Sequence, residues 1–184
     1  MVTSGGLWFC LWCRRWRFAG LAVIATGLGI GLAARPPDIL IDAQGELAAV
    51  RTGAGSLELS SKRRSGFRTE TWIRRSDLDA AAVGQAGCDR LGCVWRLDGR
   101  TISYLRDARA IADDCRLADI VLAEVPIRRC PSAELVVDRF DLWREGAHAI
   151  RLGDDGFEIE TVAEWRGVRA WAPDRGTARW RRRR

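Results

Sequence analysis

The sequence is short of the residues that metal-dependent hydrolysis requires, because its 184 residues include a single histidine. A hydrolytic zinc site needs several His and Asp ligands to hold the ion and activate water. Acidic residues are also absent from the first 35 positions, and residues 18–34 carry no charge of either sign. The first scarcity argues against zinc-dependent hydrolysis. The second separates the amino-terminal segment from the rest of the chain.

The uncharged stretch, residues 18–34 with the sequence FAGLAVIATGLGIGLAA, predicts one transmembrane helix. About 17 residues at ~1.5 Å per residue lie at the short end of what crosses a hydrocarbon core of about 30 Å. Three tryptophans, Trp8, Trp12 and Trp16, extend the apolar length on the amino side. We therefore expect a cytoplasmic or interfacial basic-aromatic segment over residues 1–17, followed by a transmembrane helix over residues 18–34.

Arginines flank this stretch unevenly, and the imbalance predicts its orientation. Three of them, Arg14, Arg15 and Arg17, precede it, and only Arg35 follows. Because positively charged flanks stay in the cytoplasm, the amino terminus is expected in the cytoplasm. Everything from Pro36 onward is then expected outside the cell or in the periplasm.

Two other interpretations of the stretch stay open. A basic segment, an apolar core and small residues at Gly31 and Ala33 also fit a cleavable signal peptide. Against this, residues 7–12 form an aromatic-rich run typical of an interfacial belt or the tail of a preceding membrane segment. A buried helix of a soluble protein is the third interpretation, but each of its four glycines would cost up to about 1 kcal/mol there.

The formal charge of +6 is unevenly distributed. Residues 1–35 contain four arginines, and residues 174–184 contain six arginines and one aspartate. Residues 36–173 therefore carry a net charge of −3, so the basic isoelectric point does not indicate a nucleic-acid-binding core. We expect one extracytoplasmic α/β domain over residues 38–173, because this length suffices for a single core. An Arg-rich tail, 174–184, is expected to be disordered.

The first half of this domain predicts a three-stranded meander over residues 38–42, 46–51 and 56–60, separated by glycine-containing turns. Ser65 is a good cap for a short helix, Gly66–Arg75, that presents Phe67 and Trp72. Residues 76–86 lack periodicity and are interpreted as a loop without function.

The second half is more regular. Asp98-Gly99 between alternating apolar positions predicts a hairpin over residues 93–105. Asp107 caps the helix that should follow, and the apolar runs 119–124 and 134–138 are typical of buried strands. A short helix over 138–146, closed by Gly146, and a last hairpin over 147–162 complete a mixed α/β fold of hairpins and short helices.

Four cysteines follow the apolar stretch, at positions 88, 93, 115 and 130. An even number in an exported domain favours disulfides, and three connectivities are open. Gly92 lets Cys88 and Cys93 close a small loop, so we favour that pair together with Cys115 and Cys130. A zinc site built from four thiolates is the alternative, but the intervening four and fourteen residues depart from the usual ligand spacing. Cys10 and Cys13 form a weak C-x-x-C signal.

No catalytic group is predicted, and no cofactor. His148 is interpreted as a packed or edge residue, since no Ser or Cys nucleophile has a spacing that recruits it. Asp138, Asp141 and Glu145 lie close together in the sequence, but Asp138 is better explained as a helix cap and Asp141 as a polar surface position than as an acid pair.

Several segments together resemble the carboxy-terminal end of the ComEC family of DNA-uptake competence proteins, in its alphaproteobacterial branch. The resemblance spans nearly the whole chain and includes RPPDILIDAQGELAAVR, CDRLGC and DDCRLADIVLAE. Its most specific part is DIVLAE, followed by a cysteine and then by LVVDRFDLWREGAHA. Membership implies an inner-membrane channel that passes single-stranded DNA, of which this chain would be the last helix and the external domain, as a fragment, a split-gene product or a solitary copy.

The order of elements over residues 91–152 also resembles the second half of a metallo-β-lactamase-type domain, which many ComEC relatives carry. Arg106-Asp107 stands at the place of a Gly-Asp pair, and residues 126–129 stand where histidines are expected. The resemblance thus implies a degenerate, non-catalytic domain.

Two functions remain open at this point. The first is a non-enzymatic part of a DNA-translocation channel, with the membrane, single-stranded DNA, the rest of a ComEC-type channel or other competence proteins as partners. The second is a membrane-anchored periplasmic interaction domain unrelated to DNA. Candidate nucleic-acid contacts are confined to the tail, at Arg179, Arg181, Arg182, Arg183 and Arg184.

Overall fold

Two units make up the computed structural model, Met1–Pro36 and Pro37–Arg184. The structure describes residues 1–12, 15–33, 35–52, 56–61, 66–75, 83–85, 87–153, 156–167 and 169. Cys13 of the C-x-x-C pair, Ser65 and the whole segment 174–184 lie outside the described residues.

The described part of the first unit contains two α-helices, whereas the sequence predicted one. Helix α1 (Val2–Leu11) is followed by a 3₁₀ turn (Arg15–Phe18) and by α2 (Ala19–Ala33). The 15 residues of α2 extend about 22 Å at ~1.5 Å per residue. Within the described ranges, no helix combines the length and the apolar character needed to cross a membrane.

Glycines bring the two helices of this unit into contact at backbone distance. A Cβ atom added to Gly5 would lie 2.7 Å from the carbonyl oxygen of Gly20, and one added to Gly20 would lie 2.6 Å from that of Gly5. The indole nitrogen of Trp8 donates to the carbonyl of Trp16 at 3.1 Å. The described surface of this unit is largely apolar, and the large side chains exposed on it include Leu7, Leu11, Trp16, Phe18, Leu28 and Ile30.

The described residues of the second unit form two sheets together with short helices, which confirms the predicted mixed α/β class. The first sheet has the order β10-β9-β1-β2-β3-β4 and is antiparallel except between β3 and β4. Its strands are β1 (Ile39–Ile41), β2 (Ala48–Arg51), β3 (Leu57–Leu59), β4 (Val83–Gln85), β9 (His148–Gly153) and β10 (Gly156–Thr161). Strand β1 is central, because Ile39 pairs with both Val50 and Ile150.

The second sheet has the order β5-β6-β7-β8. Its strands are β5 (Gly92–Leu97), β6 (Arg100–Leu105), β7 (Ile120–Ala123) and β8 (Leu135–Val137). Asp98 and Gly99 both have positive φ and close the β5–β6 hairpin, as the Asp-Gly signal predicted. Strands β6, β7 and β8 run parallel, and β7 is buried along its whole length.

The α-helices among the described residues of this unit are α3 (Gly66–Arg75), α4 (Ile111–Leu117), α5 (Arg139–Glu145) and α6 (Val162–Arg166). Apolar side chains from one face of each sheet meet in the main core, which includes Ile41, Val50, Trp95, Tyr104 and Leu122. The other face of the first sheet packs against Trp72 and Ile73 of α3. The other face of the second sheet packs against α4 and the β7–β8 loop, so the layers are helix, sheet, sheet, helix.

One local prediction in this unit needs correction. The segment 76–86 was expected to be a loop, but its residues 83–85 form β4, which pairs in parallel with β3. The chain after β10 also forms a helix, α6, capped by Thr161 and Glu164, which the sequence analysis did not address. Both elements are short, and the pairing partner of β4 lies far away in sequence, so periodicity could not reveal them.

Candidate functional site

The four cysteines of the domain form the two pairs that the sequence favoured, Cys88 with Cys93 and Cys115 with Cys130. The first pair joins the residues before β5 to the strand itself. The second ties α4 to the β7–β8 loop. Because each sulfur is bonded to its partner, the four are not thiolates available to a zinc ion.

Arg106 and Asp107 both have structural contacts at the end of β6. The guanidinium of Arg106 donates to the carbonyl of Ser60 at 2.6 Å and to that of Asp89 at 3.2 Å, which links the two sheets. Asp107 accepts from the backbone of Arg109 at 2.9 Å and pairs with its side chain, beginning the 3₁₀ turn Ala108–Ala110 before α4. That guanidinium lowers the pKa of the Asp107 carboxyl.

The β7–β8 loop is held at its other end by Asp138. One carboxylate oxygen of Asp138 accepts from the backbone of Ile127 at 3.0 Å, and the other accepts from those of Phe140 and Asp141. Asp138 is fully buried, so this one side chain satisfies three backbone donors from two segments. Its predicted role as a cap is confirmed and extended by the contact with the loop.

Asp141 is not the polar surface position that the sequence suggested. It is fully buried, it accepts from the backbone of Asp138 at 3.3 Å, and its other oxygen pairs with Arg144 at 2.7 Å. Asp138 and Asp141 thus form a capping box at the start of α5. An aspartate three residues after a capping aspartate is a signal that could have identified this second role.

His148 lies at the beginning of β9, between β1 and β10, and is 1% exposed. Its Nδ1 contacts the carbonyl of Gly146 at 2.8 Å, and because a carbonyl only accepts, Nδ1 carries the proton of the neutral ring. Its Nε2 lies 3.8 Å from a carboxylate oxygen of Glu145, beyond hydrogen-bonding distance. Burial lowers the pKa of His148, against the opposing effects of the Gly146 carbonyl and the charges of Asp141 and Glu164.

The groups around His148 hold the carboxyl end of α5 against the sheet. The carboxylate of Asp141 is engaged in the ion pair with Arg144 and in the capping box of α5. Thr161 lies opposite His148 in the strand pairing and caps α6. Within the described ranges, no group of three or more His, Cys, Asp and Glu side chains is arranged to hold a metal ion. This arrangement suits the docking of α5 and α6 on the sheet.

The outer side of α5 and α6 carries aromatic and arginine side chains in place of the usual polar surface. Phe140 and Trp143 on α5 and Trp165 on α6 are all exposed, as are Arg139 and Arg166. The sequence predicted a helix over 138–146 but gave no separate signal for its exposed aromatic residues. We call these five residues the aromatic–arginine face.

The tail arginines at 179 and 181–184, predicted as nucleic-acid contacts, lie outside the described residues. Comparison with known proteins adds no further assignment: no protein-family model, curated protein or solved structure matches the chain. The expected likeness to a metallo-β-lactamase-type domain therefore has no support from solved structures.

Proposed function

We propose that this chain is the non-catalytic, membrane-attached external part of a ComEC-type DNA-uptake protein. The apolar unit Met1–Pro36 attaches it to the bacterial inner membrane, and the α/β unit lies in the periplasm. The observation that carries the location is the pair of disulfides, because disulfides persist in oxidising compartments. The link to DNA uptake rests on the sequence resemblance.

The most specific motifs of the resemblance supply elements of the interior of the domain, although Phe140 and Trp143 within them are exposed. DIVLAE supplies the buried strand β7, and LVVDRFDLWREGAHAI supplies β8, α5 and the start of β9. They include Asp138, which joins the β7–β8 loop to α5, and His148, which packs between strands. The resemblance thus covers the residues on which this packing depends, and the degenerate-enzyme origin is part of the same proposal.

Location is tested with two fusions after Pro173, one to a reporter active only in the periplasm and one to a reporter active only in the cytoplasm. Periplasmic activity is expected from the arginine imbalance around residues 18–34. Activity of the cytoplasmic fusion alone would contradict both the location and the disulfide argument.

DNA uptake is tested in the native host by deleting the gene and measuring transformation frequency with a selectable linear DNA. We expect a large loss that the full chain restores. A Cys115→Ala/Cys130→Ala version serves as a folding-impaired control and should restore less. An unchanged frequency in the deletion strain would contradict the DNA-uptake function.

A membrane-anchored interaction domain unrelated to DNA is the second candidate. The aromatic–arginine face favours it, because exposed aromatic clusters of this kind mark contact surfaces. Normal transformation together with a periplasmic location would support this candidate over the first.

A further inference from the structure

Helix α5 exposes its aromatic residues to solvent, where a helix on a soluble surface usually presents polar residues. Asp141, Leu142 and Glu145 are buried, and at about 100° per residue they define the inward side of the helix. Phe140 and Trp143 project from the opposite side, 53% and 60% exposed. The outward stripe of α5 is therefore aromatic, while the two acidic residues of the helix face inward.

Arginines outnumber exposed carboxylates beside this stripe. Arg139 is exposed beside the stripe, whereas Arg144 pairs with Asp141. On α6, Arg166 is exposed; Glu164 is exposed as well, and it accepts from the backbone of Thr161 at the start of the helix. The exposed charges beside the aromatics are therefore two arginines and one glutamate, a net charge of +1.

Helix α6 brings a third aromatic residue to the same region. The first residue of α6, Val162, lies against Gly146 at the end of α5, where a Cβ on the glycine would be 3.1 Å from that of Val162. Trp165 follows three residues later, about 4.5 Å further along the helix, and is 90% exposed. Three exposed aromatic rings thus lie on two helices that contact each other at Gly146 and Val162.

We propose that the aromatic–arginine face docks on the headgroup region of an anionic bilayer. Tryptophan and phenylalanine beside arginine are the composition of interfacial anchors, in which rings enter the acyl boundary and arginines stay at the phosphates. The charge of the face complements an anionic leaflet, although residues 36–173 as a whole carry −3. The external unit then rests on the membrane through α5 and α6.

A lipid surface fits these residues better than a nucleic acid. Affinity for a nucleic acid grows with the number of phosphates neutralised, and the face offers only two exposed arginines within a domain of net negative charge. A bilayer instead gains from burying three large rings. This inference rests on the membrane attachment proposed above, since it needs a bilayer next to the domain.

The test uses the full chain reconstituted into vesicles of phosphatidylcholine and phosphatidylglycerol, with p-benzoylphenylalanine in place of Trp165. The matched control places the same photo-crosslinker at Leu117 of α4, which is 75% exposed and packs on the other sheet. After flotation and irradiation, mass spectrometry identifies the adducts, in the presence and absence of a single-stranded oligothymidylate.

We expect protein that floats with the vesicles and forms lipid adducts at position 165 and not at 117. An Arg139→Gln/Arg166→Gln version should weaken docking, by roughly five-fold for each arginine that contacts the surface. It should leave flotation unchanged, because the amino-terminal unit remains.

Each other outcome has its own meaning. Floating protein with equal or no lipid adducts at the two positions overturns the docking proposal and leaves membrane attachment standing. Oligothymidylate adducts that replace lipid adducts at position 165 overturn it in favour of DNA. Protein that does not float contradicts the membrane attachment itself, and docking with it.

Discussion

One buried carboxylate, that of Asp138, holds together the β7–β8 loop and the beginning of α5. Replacing it by alanine leaves buried N–H groups of Ile127 and Asp141 without acceptors, each at a cost of about 1–3 kcal/mol, and removes the helix cap. We expect Asp138→Ala to lower the free energy of unfolding by about 3 kcal/mol. Urea unfolding of the full chain in mild detergent, followed by near-ultraviolet circular dichroism, measures this.

Asp113 provides the control, because it is an exposed aspartate in the first turn of α4. Asp113→Ala should cost less than about 1 kcal/mol, the size of a helix-dipole contribution. Asp138→Asn keeps one acceptor oxygen and should fall between the two. Equal effects of Asp138→Ala and Asp113→Ala would refute the role assigned to Asp138.

His148 should make the stability of the domain depend on pH. Its pKa is lowered in the folded state, so below its ordinary value of 6.5 the unfolded chain binds the proton more readily. The stability that depends on the neutral ring is present above pH 6.5 and is lost as the pH falls below it. Thermal unfolding should therefore occur at a lower temperature at pH 5.5 than at pH 7.5, values chosen to lie about one unit either side of the ordinary pKa.

His148→Asn removes the titrating group and should reduce this difference. A variant that keeps the full pH dependence would assign it to another group.

The roles of single residues were only partly predictable from the sequence. The cap at Asp138 could be predicted, because a local motif specifies it. The burial of Asp141 and the position of His148 between β1 and β10 were not, since both depend on strands that are distant in sequence. Local patterns reveal caps and turns, whereas burial of a polar group depends on the tertiary fold.

At the scale of elements, the two disulfides should contribute unequally. Cys115 and Cys130 are 15 residues apart and join α4 to the β7–β8 loop, while Cys88 and Cys93 are 5 residues apart. In the loop-entropy account the larger loop contributes about 3 kcal/mol and the smaller about 2 kcal/mol. The Cys115→Ala/Cys130→Ala version should therefore melt at a lower temperature than the Cys88→Ala/Cys93→Ala version. The reverse order would show that local packing outweighs loop length.

The contact between α1 and α2 depends on Gly20, where any side chain would meet the carbonyl of Gly5. Gly20→Leu should therefore separate the helices, whereas Gly29→Leu is a matched control because a Cβ there meets no atom within 4 Å. Hydrogen exchange of the α1 amides in detergent should accelerate only in the Gly20 variant. Similar exchange in both variants would contradict the glycine contact.

Elements with a strong local signal were predicted well. The Asp-Gly hairpin, the buried strands β7 and β8 and helix α3 agree with the sequence analysis. Helix α1 was interpreted as an interfacial or trailing segment, because an apolar run without periodicity does not specify its partner. Its contact with α2 becomes evident only from the spacing of glycines on both helices.

Over the whole molecule, the net charge of residues 36–173 is opposite in sign to that of the carboxy-terminal segment, 174–184. Residues 36–173 carry −3, whereas residues 174–184 carry six arginines against one aspartate. Binding of single-stranded DNA by this protein should therefore depend on the tail, through Arg179 and Arg181–Arg184, with Trp171 and Trp180 stacking on bases at about 1–3 kcal/mol each. Such binding would be weak and independent of sequence.

The salt dependence of binding tests this distribution of charge. Each phosphate neutralised on a single strand adds about −0.7 to the slope of log affinity against log salt. Deleting residues 174–184 should flatten the slope by roughly 3 to 4 if about five arginines are engaged. A version with glutamine at positions 181–184 keeps the length of the chain. Its slope should flatten by most of the amount expected for the deletion. Equal binding with and without the tail, or no binding at low salt, would show that the tail takes no part in DNA uptake.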